Sequence, residues 1–211
     1  MSLQYIDRFR PRFRRQQQAA IDAGELRLSD EFEALDAQQL RPLAQLSFFL
    51  LLVGLLFFGF LNLIVYFWWW RDPAVHLFVG VILLCLLINL LSYLLILLIH
   101  EGIHALVFLL WGGRPYFGAK LPLALFCGAR EQLFPRNYYL VIALAPLVVI
   151  TLGAILFTCW RPDLAPYTLL ASAGNLSGAA GDVWAVKRLL QQPVSVLVED
   201  TDAGYKAWQI A

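Results

Sequence analysis

Charge is scarce in this chain. Of its 211 residues 15% are Asp, Glu, Lys or Arg, against 60% apolar, and the mean hydropathy is +0.67. Soluble domains carry about a quarter charged residues, and disordered chains fewer apolar ones, so both classes are excluded. A net charge of +1 offers polyanions no general attraction, which argues against a nucleic-acid partner. Cysteine is also sparse: Cys85, Cys127 and Cys159 are odd in number and scattered, so no disulfide framework is implied. Charged sequence follows Met1 where a secretory leader would place an apolar stretch, so no cleavable signal peptide is expected. No internal repeat and no low-complexity linker is visible.

What is abundant is long apolar runs, which predict an all-α integral membrane protein with about four transmembrane helices. Residues 1–45 read as a cytoplasmic arm. Arg8, Arg10, Arg12, Arg14 and Arg15, interleaved with Phe9 and Phe13, suit anionic lipid headgroups or simply fix topology. Ser29, followed by Asp30 and Glu31, predicts the start of a short interfacial helix with Phe32, Leu35 and Leu40 on its apolar side. Residues 46–190 read as the four-span domain and 191–211 as a cytoplasmic tail. The first span, about Phe48 to Phe67, ends in Tyr66, Trp68, Trp69 and Trp70, an interfacial aromatic cluster.

The second run, Leu77 to Trp111, would be about 50 Å long as one helix, against a hydrocarbon core of about 30 Å. It is expected to run unbroken to the Gly112-Gly113 stop, its last turns leaving the core. The mixed segment 112–137 is expected to form a short hairpin or re-entrant piece. The third span is Tyr138 to Trp160, with a kink expected at Pro146. The fourth, about Pro166 to Val186, holds Ser172, Asn175, Ser177 and Asp182, and a Gly174–Gly178 pair with the spacing of closely packed helices. With both termini inside, the inner segments hold fourteen basic residues and the outer loops only Arg71 and Arg161, the bias of a multi-pass plasma-membrane protein.

Two of the three histidines form His100-Glu101-Gly102-Ile103-His104. Residues i and i+4 share one helix face, so both imidazoles can hold one Zn2+, and the Glu beside the first can move a proton at the attacked water. The competing interpretation is a set of buried polar residues paired across helices, although ionisable groups inside a membrane are costly and usually functional. A third metal ligand must come from another span at similar depth. Asp182 lies five residues before the boundary residue Lys187, about 7–8 Å along a helix; His100 lies about 35 Å down its own helix, so both fall near the cytoplasmic edge. Glu131 is the alternative third ligand. Asn175, two turns before Asp182, could bond a substrate carbonyl, a metal ligand or a neighbouring helix. Asn89 and Tyr93 lie on the His100 stripe, as outer partners of the imidazoles or as packing residues. Cys127 could approach the metal or simply fill space, and His76 sits at the opposite interface.

Several motifs together resemble the bacterial zincin peptidase family of membrane proteins, related in motif to site-2 proteases. They are His100 to Leu106, Phe117-Gly118-Ala119-Lys120, Arg136 to Leu140, Leu144-Ala145-Pro146, Asn175 to Asp182, and Val198 to Asp202. The resemblance implies a zinc-dependent peptidase with His100, His104 and Asp182 as ligands and Glu101 as catalytic acid/base. It also implies a peptide or membrane-protein substrate. The Asn-to-Asp segment lacks the proline usual in site-2 proteases, and Val183 follows the Asp. The alternative is a non-catalytic membrane scaffold that keeps a metal or polar site for folding or partner binding. A haem protein is disfavoured, because histidines one turn apart cannot be opposite axial ligands. Nothing outlines a transport pathway beyond this single polar cluster.

Overall fold

The computed structural model describes residues 3–69, 79–120 and 124–210. Trp70, Arg71 and His76, named above, lie outside the described residues, as do Leu121 to Leu123. In chain order the elements are β1 (Gln4–Tyr5), α1 (Pro11–Asp22), β2 (Leu26–Glu33), α2 (Ala37–Trp69) and α3 (Val79–Trp111). Next come β3 (Tyr116–Lys120), β4 (Ala124–Gly128), β5 (Gln132–Pro135) and α4 (Arg136–Trp160). A 3-10 turn (Ala165–Thr168) leads to α5 (Leu169–Gly178), α6 (Ala180–Leu189), β6 (Leu197–Thr201) and β7 (Gly204–Ile210).

Three helices among the described residues are long and apolar enough to cross a membrane: Ala37–Trp69, Gly80–Trp111 and Arg136–Trp160. In the most apolar stretch of α3 only 6% of residues are buried. Leucines such as Leu83, Leu86 and Leu98 are more than half exposed, an outward apolar surface that suits lipid and not water. The chain is a membrane protein by this criterion. The run ending at Trp111 is a single helix, as its sequence predicts. It stops at Gly112, whose φ of +93° a residue with a Cβ adopts only at a cost. There Gly113 N–H donates to Phe108 O and Gly112 N–H to Leu109 O, closing the last turn.

The expected fourth span is built differently. The 3-10 turn, α5 and α6 replace one long helix; each α-helix has ten residues, about 15 Å, half of a hydrocarbon core. Of the Gly174–Gly178 pair, only Gly174 makes a close approach, to the Tyr93 ring.

The protein is also not all-α. A five-stranded sheet has the order β1-β5-β6-β7-β2, parallel between β1 and β5 and antiparallel elsewhere; β3 and β4 form a separate antiparallel hairpin in the segment where one was expected. The predicted helix start at Ser29 is overturned, because Ser29 lies within β2, which pairs with β7 from Leu26↔Ile210 to Glu33↔Gly204. The helix of the arm is α1 instead. Pro11 opens it, and Asp7 Oδ1 accepts the N–H groups of Phe9 and Arg10 just ahead of it.

Two compact units result. One comprises Met1–Leu43, Glu101–Ala145 and Gly181–Ala211; the other Ala44–His100 and Pro146–Ala180. The first contains the sheet, whose core includes Phe134, Leu189, Val196, Val198 and Tyr205, all fully buried. The second is helical. There Ser47 and Ser177 hydroxyls bond at 2.8 Å, and a Cβ on Gly54 would meet Ala173 Cα at 2.8 Å.

Candidate metal centre

The i, i+4 spacing of His100 and His104 is realised on α3, and both side chains are buried. A buried imidazole must satisfy its N–H, since an orphaned buried donor costs about 1–3 kcal/mol. Each ring does so through Nδ1. That of His100 bonds to Asn175 Oδ1 at 3.0 Å and that of His104 to the Ile142 carbonyl at 2.9 Å. With these oxygens as acceptors, a neutral ring carries its proton on Nδ1 and would turn the Nε2 lone pair to a metal.

Asp182 supplies the third group from the first turn of α6, where a carboxylate also favours the helix dipole. Its Oδ1 lies 3.6 Å from His104 Nε2. One ligand atom from each of His100, His104 and Asp182 can be chosen so that all lie within 4.8 Å of one another. Around a tetrahedral zinc with bonds of about 2.0–2.1 Å, neighbouring ligand atoms stand about 3.4 Å apart. The spacing and the two-nitrogen, one-oxygen donor set therefore fit zinc. Three protein ligands would leave a fourth position open, the pattern of catalytic rather than structural sites.

The other residues singled out from sequence sort clearly. Glu101 is half-buried on α3 beside His100, and its charge is felt at the Cys127 thiol. Asn175 reaches His100. Asn89 turns instead to the 3-10 segment: its Nδ2 donates to Pro166 O at 2.9 Å and its Oδ1 accepts Leu170 N–H at 2.9 Å. Tyr93 packs against Gly174. Glu131, the alternative third ligand, occupies the turn before β5 with φ 59° and is not in the group. Nor is Cys127, whose thiol burial pushes up to about 12, with Glu101 and Asp200 adding to the effect. A thiol held protonated is a poor zinc ligand.

Asp200, in the expected cytoplasmic tail, was not among the predicted site residues. It is buried in β6, accepting Tyr139 O–H at 2.6 Å on Oδ1 and Ala129 N–H at 3.0 Å on Oδ2. Burial pushes its carboxyl up to about 7, partly offset by those two hydrogen bonds. A Cβ on Gly128 would stand 2.6 Å from Asp200 Oδ2, so that glycine makes room for the carboxylate. Next to it Asp202 bonds Tyr116 O–H and pairs with Arg130 at 2.9 Å. The Asp-Ala-Gly turn after Thr201 was the sequence signal that residues 197–210 form a hairpin.

Two histidines one helical turn apart, a carboxylate at ligand distance and a glutamate between the histidines define a zincin-type centre. Residues 93–197, which include every member of that centre, match the family described as "Putative zincin peptidase". No curated protein and no solved structure matches the chain.

Proposed function

We propose that this protein is a membrane-embedded zinc metallopeptidase that hydrolyses peptide bonds near the cytoplasmic membrane face. The observation that carries this reading is the pair of Nδ1-bonded imidazoles on one helix face, with Asp182 Oδ1 3.6 Å from His104 Nε2. His100, His104 and Asp182 would hold the ion. When bound, zinc supplies Lewis acidity, acidifying water and polarising a carbonyl. Glu101 takes the proton of the attacking water at its carboxylate and passes it to the leaving amine, acting first as base and then as acid. A helical substrate hides its carbonyls in hydrogen bonds, so a membrane-protein substrate must unwind locally or present an extended segment.

The sheet supports the topology. β1 and β2 come from the arm, β5 from the 112–137 segment, and β6 and β7 from the tail. Those are the three segments that the charge bias assigns to the inner side, and strands in one sheet must share a side. If α4 crosses the membrane, the pairing of β5 with β6 requires the stretch through α5 and α6 to return the chain. This gives four passages with both termini cytoplasmic, in the plasma membrane of a bacterium, with the arginine-rich arm against lipid headgroups.

Metal analysis of the detergent-purified chain tests the reading. About one zinc per chain is expected, lost in His100→Ala and in Asp182→Ala. Glu101→Gln should keep the zinc and abolish cleavage of a quenched fluorescent casein. No zinc in folded protein supplied with the ion, or full cleavage by Glu101→Gln, would overturn it.

A further inference from the structure

The two imidazoles are tied by unlike partners. His100 uses a side-chain amide. His104 uses a main-chain carbonyl in the middle of a helix, Ile142 O in α4. Such a carbonyl is normally occupied, because residue i+4 donates its N–H to it. Four residues after Ile142 stands Pro146, which lies inside α4 and has no N–H. The Ile142 carbonyl is therefore the one acceptor in this part of α4 that loses its helical donor by covalent structure. It is also the acceptor that His104 Nδ1 meets at 2.9 Å. The proline ring further disfavours a straight ladder at that point, turning the i−4 carbonyl away from the helix axis.

We propose that Pro146 is a positioning residue of the metal centre. By withholding a backbone donor, it frees the Ile142 carbonyl to accept His104 Nδ1–H. This fixes the ring's orientation and presents Nε2 to the metal. The mid-helix proline is thus part of the ligand's support, and its role passes through a backbone atom that no side-chain comparison would register. Pro42, which lies inside the long helix α2, gives a control away from the metal group.

The proposal extends the zinc reading, and its test separates the two. The tautomer of His104 is read by 15N NMR of histidine-labelled, metal-free protein in detergent, at a pH high enough that the ring is neutral. Zinc affinity is measured in competition with a chelator. In the parent chain His104 should be the Nδ1–H tautomer. Pro146→Ala restores a competing N–H, so His104 should become a tautomer mixture and zinc affinity should fall about 10–100-fold, as when an outer partner of a ligand is removed. Pro42→Ala should change neither. Lactic acid in place of Pro146 has neither the ring nor the N–H, and should restore the tautomer and the affinity. If Pro146→Ala does not fold, lactic acid in place of Ala143 converts the Ile142 carbonyl into a weaker ester acceptor and should reproduce the tautomer mixture. An unchanged tautomer in the folded alanine variant, or no rescue by lactic acid at 146, would overturn the proposal. A parent chain that shows the locked tautomer but binds no zinc would instead count against the metallopeptidase reading alone.

Discussion

The strand-bearing unit and the helical unit bury opposite kinds of surface. In the first, Tyr5, Leu133, Phe134, Val198 and Tyr205 are sealed inside and charged residues such as Glu31 and Arg27 face out. In the second, Leu56, Leu83 and Leu156 point outward, while Asn89, Ser172 and Asn175 are inside. Apolar burial drives folding only where the alternative is water. Where the surroundings are themselves apolar, helices associate through small residues in close contact and through polar groups bonded across helices. Gly54 against Ala173, Ser47 with Ser177, and Asn89 with the 3-10 segment are contacts of that kind.

If the two units are held by different forces, each should fail separately. The largest effect is expected at Gly204. A Cβ there would run into the Phe32 carbonyl and Glu33 Cα, both backbone on the paired strand β2, where nothing flexible can yield. Gly204→Ala should cost the strand-bearing unit about 2–4 kcal/mol. Denaturant unfolding followed at Trp208 would show an earlier transition, with the spanning helices retained by circular dichroism. A smaller loss, about 1–3 kcal/mol, is expected for Gly54→Ala, which drives a methyl into the Ala173 backbone. It should lower the thermal midpoint of the helical signal in detergent and leave the Trp208 transition in place. Movement of both transitions together in either variant would show that the units do not fail independently.

The last effect is a slope rather than a loss. Asp200 has its carboxyl raised to about 7 by burial, against an ordinary value of 3.8. Between those values the folded state holds a proton that the unfolded state has released, so stability falls as pH rises through that window. The contribution is fully present below about pH 4 and gone above about pH 7. Asp200→Asn should flatten the slope in a pH series of denaturant midpoints, and an unchanged slope would assign it to another group.

Much of the centre was legible because its logic is local or nearly so. The spacing of His100 and His104 needs only a helix, and the helix needs only its apolar run. Asp182 was reached by counting residues from Lys187, since depth in a membrane is a one-dimensional quantity. The strands of the arm were not legible, for two reasons. β2 carries a register shift between Leu28 and Asp30, which breaks the alternation that would have announced a strand and leaves Ser29-Asp30-Glu31 looking like a helix start. β1 has two residues, and its partner β5 lies more than 120 positions away, so nothing local records the pairing.

The sequence by itself determined the solvent, the long helices and the pair of histidines on one helix face, because composition and helical period act over a few turns of chain. Tertiary structure alone decided which hydrogen bond each imidazole makes. It paired His104 with a carbonyl 38 residues away and His100 with an amide 75 residues away. It also gathered the arm, the middle segment and the tail into one sheet. Those choices depend on which donors and acceptors are left unpaired once the helices have formed, and that count can be made only when distant segments have met.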